Sequence, residues 1–181
     1  MNIFKKGLDH LKSKLNQGIG NYQCYAVVAE FSGILCGPDL GGGTYFDQLD
    51  PIDDELIYSA SDIGIAYKWA EYGWSVINNP GYEDLQVGSI LCFERNVKIS
   101  DDFTTHEEYG HCAVIRGLDN DMIQTYEQKG ELGEIVAEYD RYFYGTETIA
   151  SVIIPPDFSG EPTDFIHGQA SMEDAGKDVI I

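Results

Sequence analysis

The chain has 181 residues, 43% of them hydrophobic and 12% aromatic, which suits one well-buried domain and argues against a disordered chain. Its 31 acidic and 11 basic side chains give a net charge of −20, a field that repels nucleic acid and excludes it as a partner. No run approaches the roughly eighteen apolar residues of a membrane span, so no membrane partner is expected.

The basic start Met1-Asn2-Ile3-Phe4-Lys5-Lys6 has the charge of a secretion signal, but Gly7 to Gln17 is amphipathic and charged where such a signal is apolar. The expectation is therefore synthesis in the cytoplasm without a signal peptide. Ile3, Phe4, Leu8, Leu11 and Leu15 recur at helical spacing, and Gly18 and Gly20 close that helix. A second helix is predicted from near Gln23 to about Leu35, stopped by Gly37-Pro38. Gly41 to about Glu55 reads as a solvated, Asp-rich loop whose carboxylates lack EF-hand spacing. Ser61 to Tyr72 reads as a third helix, with Ser61 as its N-cap and Gly73 just past its end.

After Pro80-Gly81 the period changes. Ser89 to Glu94, His111 to Arg116, Met122 to Gln128, Ile135 to Tyr139 and Thr148 to Ile154 are short strand-like runs separated by turn residues. Helices followed by a meander of strands predict an α+β fold, one antiparallel sheet with helices packed on it. Pro155-Pro156 ends the last strand. Residues 1–156 are thus expected to form the domain, and 157–181, acidic and without a period, a linker or tail.

Four cysteines without a secretion signal are expected to stay reduced. There is neither C-x-x-C nor H-x-x-x-H, so no metal site and no cofactor is expected. Cys92 and Cys112 alternate with apolar residues as small core side chains, and Cys36 marks a helix end. Cys24 differs. It stands at a helix start, where the positive end of the dipole favours the thiolate that attacks carbonyls. His111 opens an apolar strand and could hold the proton that a leaving amine needs. Centring the hairpin on Asp119 sets Glu127 directly opposite His111, where a carboxylate would orient the ring. A slip of one residue would offer Gln128 instead. His10, His106 and His167 lie on a helix, in an acidic loop and in the tail. Gln23 is a candidate for holding an oxyanion beside the Cys24 amide. Tyr22, Trp69 and Trp74 are candidate groove residues, with core packing the simpler role for the tryptophans.

In these residues the chain resembles the CHAP family, the cysteine, histidine-dependent amidohydrolases/peptidases of phage endolysins and bacterial wall hydrolases. Gln23-Cys24 matches its Gln-Cys helix start, and Gly110-His111-Cys112-Ala113-Val114-Ile115 its Gly-His strand. Val87-Gly88-Ser89-Ile90-Leu91 approximates its Gly-Asp-Ile strand, and Glu127-Gln128-Lys129 its Glu-Gln-Asn segment. The final strand into Pro155 completes the order, so the resemblance runs from Ile3 to Pro156. It implies a papain-like domain that cleaves an amide bond of bacterial peptidoglycan with Cys24, His111 and Glu127. It further implies a phage endolysin acting at the cell wall, with a wall-binding module outside this chain.

Two departures stand out. Lys129 occupies the place of the Asn, and Asn16 to Tyr22 lacks the carboxylates of the family's calcium loop, so calcium is not supported. Two other classes remain open: a cytosolic papain-like protease or amidase with a non-wall substrate, and a non-enzymatic acidic binding protein.

Overall fold

The computed structural model describes residues 3–40 and 59–156. The expected acidic loop from Gly41 to Glu55 and the tail from Asp157 onward lie outside them.

Helix α1 (Ile3–Ser13) and helix α2 (Cys24–Ile34) form where the apolar spacing placed them. The third predicted helix breaks. A single turn, α3 (Ile63–Ala66), gives way at Tyr67 to extended backbone, and a 3-10 turn over Trp69–Tyr72 follows. The Trp69 indole N–H donates to the Ile63 carbonyl at 2.9 Å, supplying the partner that a continuing helix would otherwise provide. Ser61 is not the N-cap. Asp62 holds that position, and the Ser61 hydroxyl donates to the Phe93 carbonyl at 2.8 Å. Gly73 ends the 3-10 turn with φ 77°, the left-handed conformation expected of it.

Six antiparallel strands form one sheet in the order β1-β6-β2-β3-β4-β5: β1 (Ser75–Asn78), β2 (Ile90–Phe93), β3 (His111–Asp119), β4 (Met122–Glu127), β5 (Ala137–Tyr142) and β6 (Ile149–Ile154). Strand β1 carries no clear alternation and was not expected; it exists through its pairing with β6, Ser75 to Ile154 through Asn78 to Ser151. Strand β5 starts two residues later than predicted. Val136 exchanges backbone bonds with the segment after α1 instead, donating to Gln17 O and accepting from Asn16 N, each at 2.9 Å.

Alternation divides the core between the two faces of the sheet. Ile90, Cys92, Cys112 and Val114 meet α2, which is apolar almost all round and buries Val27, Val28 and Phe31 completely. Each of those three side chains contributes roughly 2 kcal/mol by leaving water. Leu91, Phe93, Ala113 and Ile115 face the other way, onto Leu85 and Ile99. Helix α2 is therefore pinned across β3, with its N-terminus at the end of the sheet where β3 begins. Among the described residues, no helix is long and apolar enough to cross a membrane, and no cluster of three or more His, Cys, Asp or Glu could hold a metal ion.

Candidate active site

Cys24 is the first residue of α2, preceded by extended Gln23, whose side chain makes no capping bond. The loop before it is tightly wound. Tyr22 adopts φ 66°, and the Asn21 side chain accepts the Gln23 N–H at 3.2 Å. The Tyr22 ring lies over Gly18, where any Cβ would overlap it, so the glycine is a packing requirement. Tyr22, two residues before Cys24, is 51% exposed. Trp69 and Trp74 do not share that exposure. They are 1% and 2% exposed and packed against each other at 5.1 Å, which fits the core packing that is their simpler role.

His111 is the first residue of β3. Gly110 before it has φ 69°, and a Cβ there would overlap Ser61 Oγ, so the strand can begin at this point only with glycine. The same segment is tied down by Ser61 N, which donates to Tyr109 O at 3.0 Å, and by Arg95, which bonds Asp62, Ser59 Oγ and Glu108 O. The imidazole, 3% exposed, sits between the rings of Phe93 and Phe103 at 6.2 and 5.2 Å. Its Nε2 bonds Glu127 Oε2 at 2.7 Å, which leaves Nδ1 for the Cys24 sulfur.

The hairpin that joins His111 to Glu127 differs from its prediction. Its turn is Asn120-Asp121, both left-handed at φ 48° and 65°, the type I′ geometry of a two-residue loop. Asp119 therefore pairs with Met122, and pairing continues through Gly117 with Gln124. That register alone would turn Glu127 to the α2 face, away from His111. A bulge at Arg116 inserts one residue, after which Ile115 pairs with Thr125 and Val114 with Tyr126. Glu127 then lies level with Ala113, on the face of His111 but diagonal to it, at a separation of about 7–8 Å that the two long side chains bridge.

Gln128 does not orient the histidine. Alternation sends it to the opposite face, where it is fully buried and clamps the loop before α2. Its Oε1 accepts the Ile19 N–H at 2.7 Å, and its Nε2 donates to Ile19 O at 3.0 Å and to Gln23 O at 2.9 Å. The sheet thus holds the peptide that leads into Cys24. Lys129, φ 66°, points outward and pairs with Glu134 at 2.6 Å.

The electrostatics follow from these contacts. The Cys24 thiol is held well below its ordinary pKa, first by a bond from the Cys112 thiol and then, against the opposing effect of burial, by His111. Cys112, buried beneath it on β3, is raised and keeps its own proton. Burial disfavours charge on His111, but the Cys24 thiolate and the Glu127 carboxylate outweigh it and push the ring up to about 10. Glu127, fully buried, is held at about 2 because bonds and charge from Arg141 and His111 overcome its desolvation. These shifts all run in one direction, favouring a thiolate, an imidazolium and a carboxylate in series. Cys92, by contrast, is pushed up to about 12 by burial, and Cys36 is raised for the same reason.

Sequence reasoning passed over Arg141 and Thr125, which bond Glu127 directly. A signal was there: Ala137, Tyr139 and Arg141 share the inward face of an alternating strand, and an inward arginine requires a buried partner.

No family model matches the chain. Over 126 residues, 67% of its length, it is 28% identical to the large catalytic subunit of endolysin PlyC from Streptococcus phage C1. It spans only 26% of that curated relative. The crystal structure of PlyC superposes with a TM-score of 0.68 and 26% identity, covering 83% of this chain and 35% of that one. Ly7917, solved with the hydrolysing product of MDP, gives 0.61 at 20% identity, covering 84% of this chain and 62% of that one, a likeness of fold. The resemblance to CHAP-type endolysin catalytic domains holds in both sequence and structure, and the fold is the papain-like α+β one.

Proposed function

We propose that this chain hydrolyses an amide bond of bacterial peptidoglycan, as the catalytic part of a phage endolysin, with Cys24 as nucleophile. The observation that supports this most directly is the arrangement at the head of α2: a cysteine at a helix N-terminus, its thiol pKa lowered by Cys112 and His111, and a histidine whose far nitrogen is fixed by Glu127. Cys24 Sγ attacks the carbonyl carbon and forms a thioester, while the His111 Nδ1 proton passes to the departing amine. Neutral His111 then takes a proton from water, whose oxygen displaces the sulfur. The Cys24 backbone N–H, in the first turn of the helix where amides have no intrahelical partner, and the Gln23 side chain hold the oxyanion. Tyr22 lies along the substrate groove.

The similarity to an endolysin catalytic subunit supports the wall as the place of action and supports synthesis in the bacterial host cytoplasm. The acidic residues 157–181 lead toward a wall-binding module. Purified walls incubated with the protein, followed by mass spectrometry of the released muropeptides, test the proposal and identify the bond. New amino termini or free muramoyl groups are expected with wild type and not with Cys24→Ala. Walls left intact by a folded protein whose Cys24 is alkylated as a thiolate would direct the same chemistry to a non-wall amide.

A further inference from the structure

Arg141, 1% exposed, projects from β5 into the space behind His111. Its Nε donates to Glu127 Oε1 at 2.8 Å and its Nη2 to Glu127 Oε2 at 2.6 Å, a two-pronged grip. The other side of the guanidinium holds Glu131, at 2.6 and 2.9 Å, with Ser100 Oγ at 3.3 Å. Tyr139 and Phe103 lie over the guanidinium at 4.5 and 5.0 Å, and Phe103 also packs against His111.

We propose that Arg141 is a positioning residue of this site: it fixes Glu127 as an ionised carboxylate and aims Oε2 at His111. The inference rests on Cys24 and His111 being the reacting pair. A buried Arg–Glu pair by itself is weak evidence of anything beyond packing. Here, however, the oxygen that Arg141 Nη2 holds is the one His111 Nε2 holds, so a change at Arg141 is felt at the imidazole. Thr125 Oγ1 donates to the other oxygen at 2.5 Å, which leaves the carboxylate no freedom to turn.

The titratable groups around this cluster come from every element that packs on it: Cys24 on α2, Cys92 on β2, Cys112 on β3, Glu127 on β4, Tyr139 and Arg141 on β5, and Glu131 in the turn between β4 and β5, of which Cys92, Cys112 and Tyr139 are raised and keep their protons. Arg141 is the permanent cation among them. Without it, Glu127 would be a buried carboxylate supported only by His111 and Thr125, and it would take up a proton at higher pH. A protonated Glu127 no longer offsets the imidazolium. The Cys24–His111 pair then reverts to neutral thiol and imidazole, and thiolate reactivity disappears earlier as pH falls.

The test is alkylation of Cys24 by iodoacetamide across pH in the full chain, read by intact-protein mass spectrometry, with thermal unfolding as the folding control. In Arg141→Gln the acid limb is expected to move up by about one pH unit, roughly a tenfold lower rate on the acid side. Arg141→Lys, a point charge without the fork, is expected to fall between. In the wild type, the Glu127 carboxyl carbon followed by NMR is expected to stay ionised through the ordinary carboxylate range. A folded Arg141→Gln whose acid limb superimposes on wild type overturns the proposal. So does a wild-type Glu127 that titrates in the ordinary range, a measurement that needs no variant to fold. If the acid limb moves as expected but wild-type protein leaves walls intact, the positioning role stands and the peptidoglycan reading falls.

Discussion

Glu127 reaches His111 diagonally, 2.7 Å from Oε2 to Nε2, across a hairpin whose register places Ala113 rather than His111 beside it. That contact exists because Arg116 bulges out of β3 and switches Glu127 from one face of the sheet to the other. Its environment makes Glu127 an anion with four donors, from Arg141, Thr125 and His111.

Glu127→Gln is expected to lower activity and to destabilise the fold together. An amide can accept one bond but turns its NH2 group against either Arg141 or His111, leaving a buried cation without its anion. The loss expected in urea unfolding is about 3 kcal/mol, the range for breaking a buried pair. A variant as stable as wild type would contradict the network.

Cys24→Ala is expected to abolish wall lysis with the fold intact, and His111→Ala to match it, because the members of a catalytic unit do not contribute independently. Iodoacetamide at neutral pH should label Cys24 ahead of Cys36, Cys92 and Cys112, since burial raises the other three. Lysis by Cys24→Ala, or first labelling at another thiol, would move the nucleophile elsewhere.

The thiol and the two shifted groups behind it set a window of stability. Glu127, lowered from 4.5 to about 2, contributes fully above 4.5 and loses that contribution as pH falls toward 2. His111, raised from 6.5 to about 10, contributes fully below 6.5 and loses it as pH rises through 10. Cys24, lowered from 9.0, gains in stability over the range in which His111 loses it, so thermal unfolding should show a plateau between about 6.5 and 9 with a decline on each side. Lysis, which needs the imidazolium proton, should fall through the same alkaline range. An unfolding temperature that climbs from pH 7 to 10 would reverse the sign assigned to His111.

Gln128→Ala removes three bonds that hold the loop leading into Cys24. Leaving buried backbone groups unpaired should cost about 2–3 kcal/mol and slow Cys24 alkylation at constant pH. Gln128→Glu should be worse, because a carboxylate repels the Ile19 and Gln23 carbonyls that the amide serves. Wild-type alkylation in both variants would show that the helix holds Cys24 in place without the clamp.

Salt should speed lysis at first. A domain at −20 is repelled by anionic wall polymers, and the Debye length falls from about 30 Å at 0.01 M to about 10 Å at 0.1 M. Lysis rates on one wall preparation, with chelator present, are expected to rise across that range. A rate that falls steadily with salt would mean that local basic contacts dominate.

The sequence by itself determined the parts whose signals are local. Helices α1 and α2 follow from apolar spacing, five of the six strands from alternation between turn residues, and the placement of Cys24 and His111 at element starts from Gln23 and Gly110 beside them. The third helix failed because Trp69 bonds Ile63 through its side chain, a contact that no propensity encodes. Strand β1 had no pattern of its own and owes its existence to β6. The partner of His111 depended on tertiary structure twice over: a two-residue turn moved the hairpin centre, and a bulge restored the face. Alternation then divided two neighbours that look equivalent in sequence, sending Glu127 to the histidine and Gln128 to the loop before α2. Arg141 stands 30 residues from His111 in sequence (141 − 111), and only the pairing of β4 with β5 brings it to the carboxylate. Spacing along a chain gives the face of each element, but the partner across a sheet is set by register, and register is a property of the folded whole.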